Sequence, residues 1–273
     1  MVDKKQTQER KGRVMRKEMT TRAAPREVWE AWADPAKLAQ WFTDGAEGEA
    51  KAGGSMTWIF DKFGYRFTYD VLEARPEERL VLTVTPPGRS LPWLLEIDIE
   101  QAGGRTVLKL VQSGFGEGAG WDDEYQGINS GWDMALAILK HYLENYFGRP
   151  RHHALVMVPF EYSSSQLRPF YREERSLAKW LTRDGAVGEP GTHYELTLMT
   201  GDKMVGEVLA DTGTEVQLSW TEIEGAVALK AFSLGPQKVL CIDVVTWAEK
   251  NRLDEIEPTM ASSLERLKSA LTA

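Results

Sequence analysis

The sequence predicts an α+β protein built from two tandem copies of one domain, each a curved antiparallel sheet wrapped around a long C-terminal helix. Three observations predict this architecture. Short motifs recur in the same order in the two halves of the 273-residue chain. Each half begins with a strand and short helices and continues with strands of alternating apolar and polar residues. Each half then ends on an amphipathic helix that needs a sheet to cover its apolar face.

The internal repeat is carried by three matches that lie in the same order in both halves. Their unequal spacing is what loop deletions in one copy produce. The helix-ending Gly148 ahead of Pro150 marks the join between the two copies. We therefore predict domains over 14–148 and 149–273. A flexible tail is predicted over 1–13. The matched segments are LAQWFT at 38–43 with LAKWLT at 177–182, VLKL at 107–110 with VLCI at 239–242, and Leu136, Leu139 and Leu143 with Leu264, Leu267 and Leu271.

Charge and cysteine content narrow the class of protein. The formal net charge is −8, whereas binding of duplex nucleic acid needs a cationic excess that releases counterions, so we expect no nucleic-acid partner. Cys241 is the single cysteine, as is usual in a reducing cytoplasm. No apolar run reaches the roughly 18 residues of a membrane span, and the charged N-terminus does not resemble a signal peptide. We expect a cytoplasmic protein without a membrane span.

The first copy opens with a predicted strand over Val14 to Thr21. Ala24-Pro25 then marks a helix start, because the N–H that proline lacks has no partner in the first turn. The Asp34-Pro35 step predicts a break into two short helices. Alternating apolar residues and intervening turn signals predict strands near residues 56–60, 65–71, 80–85, 93–100 and 106–112.

A long helix over residues 122–146 closes the first copy. Trp132, Leu136, Leu139 and Leu143 fall on one of its faces. The sheet is the large apolar surface that can cover this face, so we expect the helix to lie across the sheet.

The second copy follows the same plan. Its final helix is predicted over 258–271, much shorter than its counterpart, so we expect this copy to enclose less space. The preceding elements are a strand near 155–160, helical residues around 167–181, and strands near 194–199, 203–210, 216–222, 226–234 and 239–247.

The sequence predicts no catalytic residue, no metal-binding residue and no cofactor. His152 and His153 are adjacent and point to different faces of an extended segment, and no zinc-ligand spacing is present. Ser163 to Ser165 lack the G-x-S-x-G frame of a nucleophile, so a turn or helix-cap role is favoured. Cys241 lies in an apolar strand and is predicted to be a buried, inert thiol.

The sequence feature that points to a binding site is a set of aromatic residues predicted to face the interior of the first copy. Alternation places them on the concave face of the sheet with a tryptophan of the long helix. A filled core and a ligand pocket are both consistent with this set; in the pocket, the Tyr65 and Tyr69 hydroxyls would orient a ligand. Trp121 and the loop 114–120 would form its entrance. The predicted lining residues are Trp58, Phe60, Phe67, Tyr69, Trp93, Phe115, Trp121 and Trp132.

A set of motifs in the first copy carries a family resemblance that covers about residues 14–146. They are APREVW at 24–29, ADP at 33–35, Leu38, Trp41-Phe42, GGSM at 53–56, VLEARPEERLVLTV from Val71, SGF at 113–115 and GWD at 131–133. With them the copy resembles the heat-shock protein 90 ATPase activator-like branch of the START-like (SRPBCC) superfamily. The second copy lacks the Ala-Pro, Asp-Pro and Gly-Trp motifs and resembles this family mainly through the first.

The resemblance implies a helix-grip fold with a cavity between sheet and long helix, and a choice of dissimilar functions. We expect non-enzymatic binding of a small hydrophobic molecule or lipid in the first domain, in a stress response, with the second domain supporting it. A polyketide cyclase- or hydrolase-like enzyme is the first alternative, although Glu96, Asp98 and Glu100 are predicted on the outer face. A co-chaperone-like module with a protein or chaperone partner is the second.

Overall fold

The computed structural model describes residues 12–89, 91–162, 164–234, 237–249 and 252–272. The predicted flexible tail over 1–13 lies outside these residues except for its last two positions. The described chain forms two seven-stranded antiparallel sheets with helices. No helix within the described ranges is both long and apolar enough to cross a membrane.

The first sheet has the strand order β1-β7-β6-β5-β4-β3-β2. Every predicted strand of this half is present, and β2 is an additional short edge strand. The elements are β1 (Arg13–Thr21), α1 (Pro25–Ala33), α2 (Pro35–Leu38), β2 (Gly45–Gly48), β3 (Ser55–Phe60), β4 (Tyr65–Arg75), β5 (Arg79–Val84), β6 (Trp93–Ala102), β7 (Arg105–Phe115) and α3 (Asp122–Asn145).

The second sheet has the order β8-β14-β13-β12-β11-β10-β9, which repeats the first strand for strand. The predicted α+β fold with two tandem copies is thereby confirmed. The elements are β8 (His152–Pro159), α4 (Ser164–Arg172), α5 (Glu174–Leu177), β9 (Thr182–Asp184), β10 (His193–Leu198), β11 (Lys203–Asp211), β12 (Val216–Trp220), β13 (Gly225–Leu234), β14 (Gln237–Thr246) and α6 (Leu253–Thr272).

The tryptophans of the LAQWFT and LAKWLT motifs have the same structural role in the two copies. Trp41 donates its indole N–H to the carbonyl of Ala31 at 2.8 Å. Trp180 donates its own to the carbonyl of Phe170 at 2.9 Å. Both carbonyls belong to the residue ten positions earlier in the chain. Each tryptophan therefore links the chain after the two short helices of its copy to the first of those helices, through the same hydrogen bond.

The predicted break between two short helices in the first copy is confirmed at Asp34. The Asp34 carboxylate accepts hydrogen bonds from the amides of Ala36 and Lys37, at 2.8 and 3.4 Å. Pro35 occupies the first position of α2, where its missing N–H leaves no carbonyl unpaired. An N-cap and a proline at adjacent positions end one helix and start the next.

The predicted start of the final helix at Pro258 is wrong. Helix α6 begins at Leu253 and has 20 residues, against 24 in α3. The carbonyl of Arg252 already accepts the amide of Ile256 at 3.0 Å, so the helix is established before the proline. Leu253 and Ile256 are buried and extend the apolar face of the helix. The premise that the second copy has a much shorter helix therefore fails.

The chain divides into two compact units, residues 1–132 and 133–273, and the division falls within α3. The domain limits 14–148 and 149–273 stay a prediction from the sequence. In the second unit α6 packs against β8 and β14, and this packing forms an apolar core with Leu240, Ile242 and Val244 of β14.

The opposite face of β14 carries polar side chains. Asp243 accepts a hydrogen bond from Lys230 of β13 at 2.5 Å and contacts His153 of β8 at 2.6 Å. Cys241 is 2% exposed, and burial raises the pKa of its thiol. The predicted burial of Cys241 is confirmed, and its raised pKa favours the neutral thiol.

Candidate functional site

Strands β3 and β4 place a row of aromatic side chains on one face of the first sheet. In their antiparallel register Met56 pairs with Tyr69 and Trp58 pairs with Phe67. Phe60 lies two residues beyond Trp58, so its side chain points to the same face. The row is local in origin, because alternation along two adjacent strands is sufficient to produce it.

Helix α1 and the following turn add further rings to this row. The Trp32 ring centroid lies 5.0 Å from that of Trp41, 6.2 Å from that of Trp58 and 5.9 Å from that of Trp132. Trp58 in turn lies 4.5 Å from Tyr69. All five side chains are buried. With Phe42, which stacks on Trp41 and Trp132, they form what we call the aromatic cluster.

A second, smaller aromatic group lies at the ends of β6 and β7. The Trp93 ring is 6.0 Å from that of Phe115, and Phe115 meets Tyr125 of α3 edge-on at 5.3 Å. Phe115 is fully buried, whereas Trp93 is partly exposed. Of the predicted lining residues, the aromatic cluster contains Trp58, Tyr69 and Trp132, with Phe60 and Phe67 beside it, and the second group contains Trp93 and Phe115.

Trp121 belongs to neither group. Its ring lies so close to Gly116 that a Cβ added there would meet it at 2.1 Å. Arg89 covers the ring, with the guanidinium carbon 4.5 Å from the ring centroid, and also forms an ion pair with Glu124. The loop predicted to be an entrance is therefore held by a cation–π contact to a neighbouring turn.

Two indole N–H groups of the aromatic cluster have protein acceptors. Trp132 donates to the Gln112 side-chain carbonyl at 2.5 Å, and Trp41 donates to Ala31 as described above. Gln112 is 5% exposed, which is unusual for an amide and is explained by this bond.

Three other indole N–H groups in this unit are buried without an acceptor among the described residues: those of Trp32, Trp58 and Trp93. Buried donors are almost always bonded, and leaving one unpaired costs about 1–3 kcal/mol. Trp32 and Trp58 are 0% and 2% exposed. The interior of the first unit therefore contains unused hydrogen-bond donors inside an apolar, aromatic surrounding.

The polar groups near these donors are neutral. Burial raises the pKa of the Tyr69 hydroxyl, so this group stays protonated over the whole physiological range. Tyr65, whose hydroxyl was predicted to point into the pocket, is 45% exposed. Tyr69 is thus the tyrosine of this pair that lies in the interior.

The carboxylates of β6 belong to the other face of the sheet, as predicted by alternation with the buried Leu95 and Ile97. Arg79 binds Glu96 at 2.7 Å and Asp98 at 2.5 Å. Among the described residues of the first unit, Glu96 is the one buried carboxylate, and Arg79 neutralises it. Acid–base chemistry in the interior would need a different group.

Sequence reasoning missed the central position of Trp32 and the polar position of Gln112. Trp32 is not among the predicted lining residues, although its ring contacts those of Trp41, Trp58 and Trp132. Gln112 follows Leu108 and Leu110 at inward-facing positions of β7, and both leucines are buried. An amide at the end of such a row is the signal that predicts an internal hydrogen bond.

The comparison with protein families gives one match in this part of the chain. Residues 22–144 match the model of the family described as Activator of Hsp90 ATPase homolog 1-like protein. The match ends at α3 and contains all of the aromatic cluster. No curated protein matches the chain.

Several solved structures are similar to the chain at low identity. The Aha1 dimer from Colwellia psychrerythraea is 18% identical over 48% of this chain and 96% of its own, with a TM-score of 0.43. DynU16, a protein of the dynemicin biosynthetic locus, is 19% identical over 94% of this chain and 98% of its own, also at 0.43. CalU16 from Micromonospora echinospora is 22% identical over 50% and 69%, at 0.41.

Similarities at these identities and TM-scores do not transfer a function to this chain. The family match is independent of them and agrees with the motifs at the start of α1 and in α3. Residues 22–144, somewhat less than half of the 273-residue chain, are therefore similar to the Activator of Hsp90 ATPase homolog 1-like protein family.

Proposed function

We propose that the first unit binds a small, mostly apolar molecule that carries hydrogen-bond acceptors, and that it does so without chemical conversion. The observation that carries this proposal is the set of unpaired, buried indole N–H groups of Trp32, Trp58 and Trp93. An acceptor-bearing guest would satisfy donors that the protein leaves open.

The chemistry of the surroundings supports a ligand of this class. The rings around Trp58 lie 4.5–6.2 Å from one another, so the surroundings of the open donors are apolar and aromatic. The donors are indole N–H groups, which donate but do not accept. A carbonyl or ether oxygen therefore fits the interior better than a hydroxyl or an amine does.

Binding is favoured over catalysis because the described interior offers no matched acid and base. Tyr69 is neutral, and the Glu96 carboxylate is bonded to Arg79 on the other face. The family description also suggests a chaperone-related role. Such a role would need a protein-binding surface, and the buried aromatic cluster does not support it. The proposal also places no ligand in the second unit.

The proposal predicts a preference for a carbonyl-bearing ligand over its plain hydrocarbon. Fluorenone and fluorene are rigid tricyclic probes that differ by one carbonyl oxygen. One hydrogen bond contributes about 1 kcal/mol, so we expect fluorenone to bind the protein about fivefold more tightly. Tryptophan fluorescence quenching and the rise in melting temperature measure this, because ligand binding to the native state stabilises it.

Single Trp→Phe variants locate the effect. Replacing the tryptophan that bonds the carbonyl, whether Trp32, Trp58 or Trp93, should abolish the preference and keep the binding of fluorene. Trp41→Phe is the matched control, because its indole already donates to Ala31, and it should leave the preference unchanged. If neither probe binds, the open donors serve ordered water and the proposal is wrong.

A further inference from the structure

The two sheets present four edges, and three of them are protected against pairing with another strand. Strands β2 and β9 are only 4 and 3 residues long. Strand β1 is longer, with 9 residues, but carries several charged side chains, which discourage edge pairing. They are Arg13, Arg16, Lys17 and Glu18.

The fourth edge, β8, lacks these protections. It has 8 residues with the sequence HHALVMVP and contains no Lys, Arg, Asp or Glu. It is the structural counterpart of β1 in the second sheet, since both strands lie at the same end of the same strand order. The contrast between the two equivalent edges singles out β8 as an edge open to pairing.

The direction of the β8 backbone groups follows from one hydrogen bond beyond the end of the strand. The amide of Phe160 donates to the carbonyl of Lys238 at 3.0 Å, in register with the β8–β14 ladder. Bonded pairs alternate in an antiparallel ladder, so Ala154, Val156 and Val158 point their backbone groups at β14. The N–H and C=O groups of Leu155 and Met157 therefore point outward. Pro159 offers no outward N–H and ends the available stretch.

A groove runs along this edge. It has a volume of about 540 Å³ and is lined by Leu155, Val156 and Met157 on one side and by one face of α6 on the other. That volume lies within the roughly 300–1,000 Å³ typical of ligand pockets. The α6 residues in the groove are Asp254, Glu257, Pro258 and Ala261.

The wall formed by α6 is acidic. Asp254 and Glu257 are exposed, and neither forms an ion pair with a cation in the described ranges. Glu255, on the next face of the helix, pairs instead with Arg252 at 2.8 Å. The groove thus combines outward backbone groups, apolar side chains and two uncompensated carboxylates.

We propose that the β8 edge binds an extended segment of a partner protein in which basic and apolar residues alternate. The segment adds as an eighth strand, and its main chain pairs with the backbone of Leu155 and Met157. Side chains on the α6 side are Lys or Arg and meet Asp254 and Glu257. Side chains on the other face are apolar and cover Leu155 and Met157. This surface belongs to the second unit and does not depend on the ligand proposed for the first.

The test uses the full chain and a fluorescein-labelled peptide of sequence KVKVKVK, with EVEVEVE as the charge-reversed control. Fluorescence anisotropy should show binding of the basic peptide that weakens with salt, and no binding of the acidic one. Hydrogen exchange at the Leu155 and Met157 amides should slow when the basic peptide is bound. Equal binding of both peptides, or none of the basic peptide up to about 1 mM, overturns the proposal.

Two variants separate the backbone and charge contributions. Met157→Pro removes an outward N–H and leaves the ladder with β14 in place, and should weaken binding at least tenfold. Asp254→Asn with Glu257→Gln should weaken it about fivefold at low salt, since each exposed ion pair contributes roughly 0.2–1 kcal/mol. Glu255→Gln lies on the same helix outside the groove and should change binding less than twofold.

The remaining outcomes also decide the question. Should Met157→Pro fail to fold, as seen from its melting curve, the double carboxylate variant still carries the test. Unchanged binding in that variant contradicts the proposal. A wild-type chain that dimerises, and becomes monomeric in Met157→Pro, assigns the edge to a second copy and overturns the proposed partner.

Discussion

Asp243→Asn is expected to lower the free energy of unfolding of the second unit by about 3 kcal/mol, the scale for breaking a buried ion pair. Asp243 lies between Lys230 and His153, and its side chain is only 16% exposed. The asparagine keeps the shape of the side chain but leaves Lys230, whose side chain is 24% exposed, without its hydrogen-bonded counter-charge. Chemical unfolding monitored by circular dichroism measures the loss.

The control is a pair of the same kind on a surface. Lys109 contacts Glu100 at 2.6 Å across two strands of the first sheet, with the side chains 43% and 53% exposed. Glu100→Gln should cost less than about 1 kcal/mol, because water screens the pair and solvates each charge alone. Similar losses for the two variants would show that burial does not set the strength of the Asp243 interaction.

The effect of Asp243→Asn also depends on pH. Burial alone would raise the pKa of Asp243, but Lys230 and His153 outweigh it and hold the pKa below its usual range. A carboxyl with a depressed pKa in the folded state stabilises the fold above its unfolded pKa, about 3.9, and loses this contribution as the pH falls further. The free energies of unfolding of wild type and variant should therefore converge progressively as the pH falls below about 4. A constant difference down to pH 2 would contradict this account.

The sequence predicted the parts of the fold that local patterns determine. Alternation along β3 and β4 was sufficient to place Trp58 and Tyr69 on one face. The short edge strands β2 and β9 were missed, because Gly45–Gly48 has little intrinsic strand preference and pairs only through its register with β3. The start of α6 was missed for a related reason, since the burial of Leu253 depends on the sheet beneath it.

Part of the candidate site was predictable from the sequence, because local patterns determine that part as well. Contacts between rings from adjacent strands follow from alternation, but the meeting of Trp32 with Trp132 joins two helices far apart in the chain. Likewise, His153 was assessed only beside His152, whereas its partner Asp243 lies 90 residues away. Contacts over such distances depend on strand order, which a single sequence does not specify.

Trp180→Ala is expected to lower the free energy of unfolding of the second unit by about 3–5 kcal/mol, the range for removing a buried tryptophan. Trp180 is 0% exposed and bonds the carbonyl of Phe170. In addition, its own carbonyl accepts a hydrogen bond from Arg266 of α6 at 3.0 Å. The Arg266 bond reaches the main chain and persists in the alanine variant, so the expected loss comes from the buried indole and its bond to Phe170. Trp180→Phe should cost less, about 1–3 kcal/mol, for the unpaired Phe170 carbonyl.

The equivalent change in the first copy turns this into a test of the duplication. Trp41 is 1% exposed and bonds the residue ten positions earlier, as Trp180 does. If the two motifs have the same role, Trp41→Ala should also cost about 3–5 kcal/mol, with loss of hydrogen-exchange protection centred on the first sheet. Leu72→Ala, at a side chain that is 47% exposed, is the control and should cost less than about 0.5 kcal/mol. A loss below about 1 kcal/mol at one tryptophan only would mean that the two copies share a strand order but that the two tryptophans differ in their structural role.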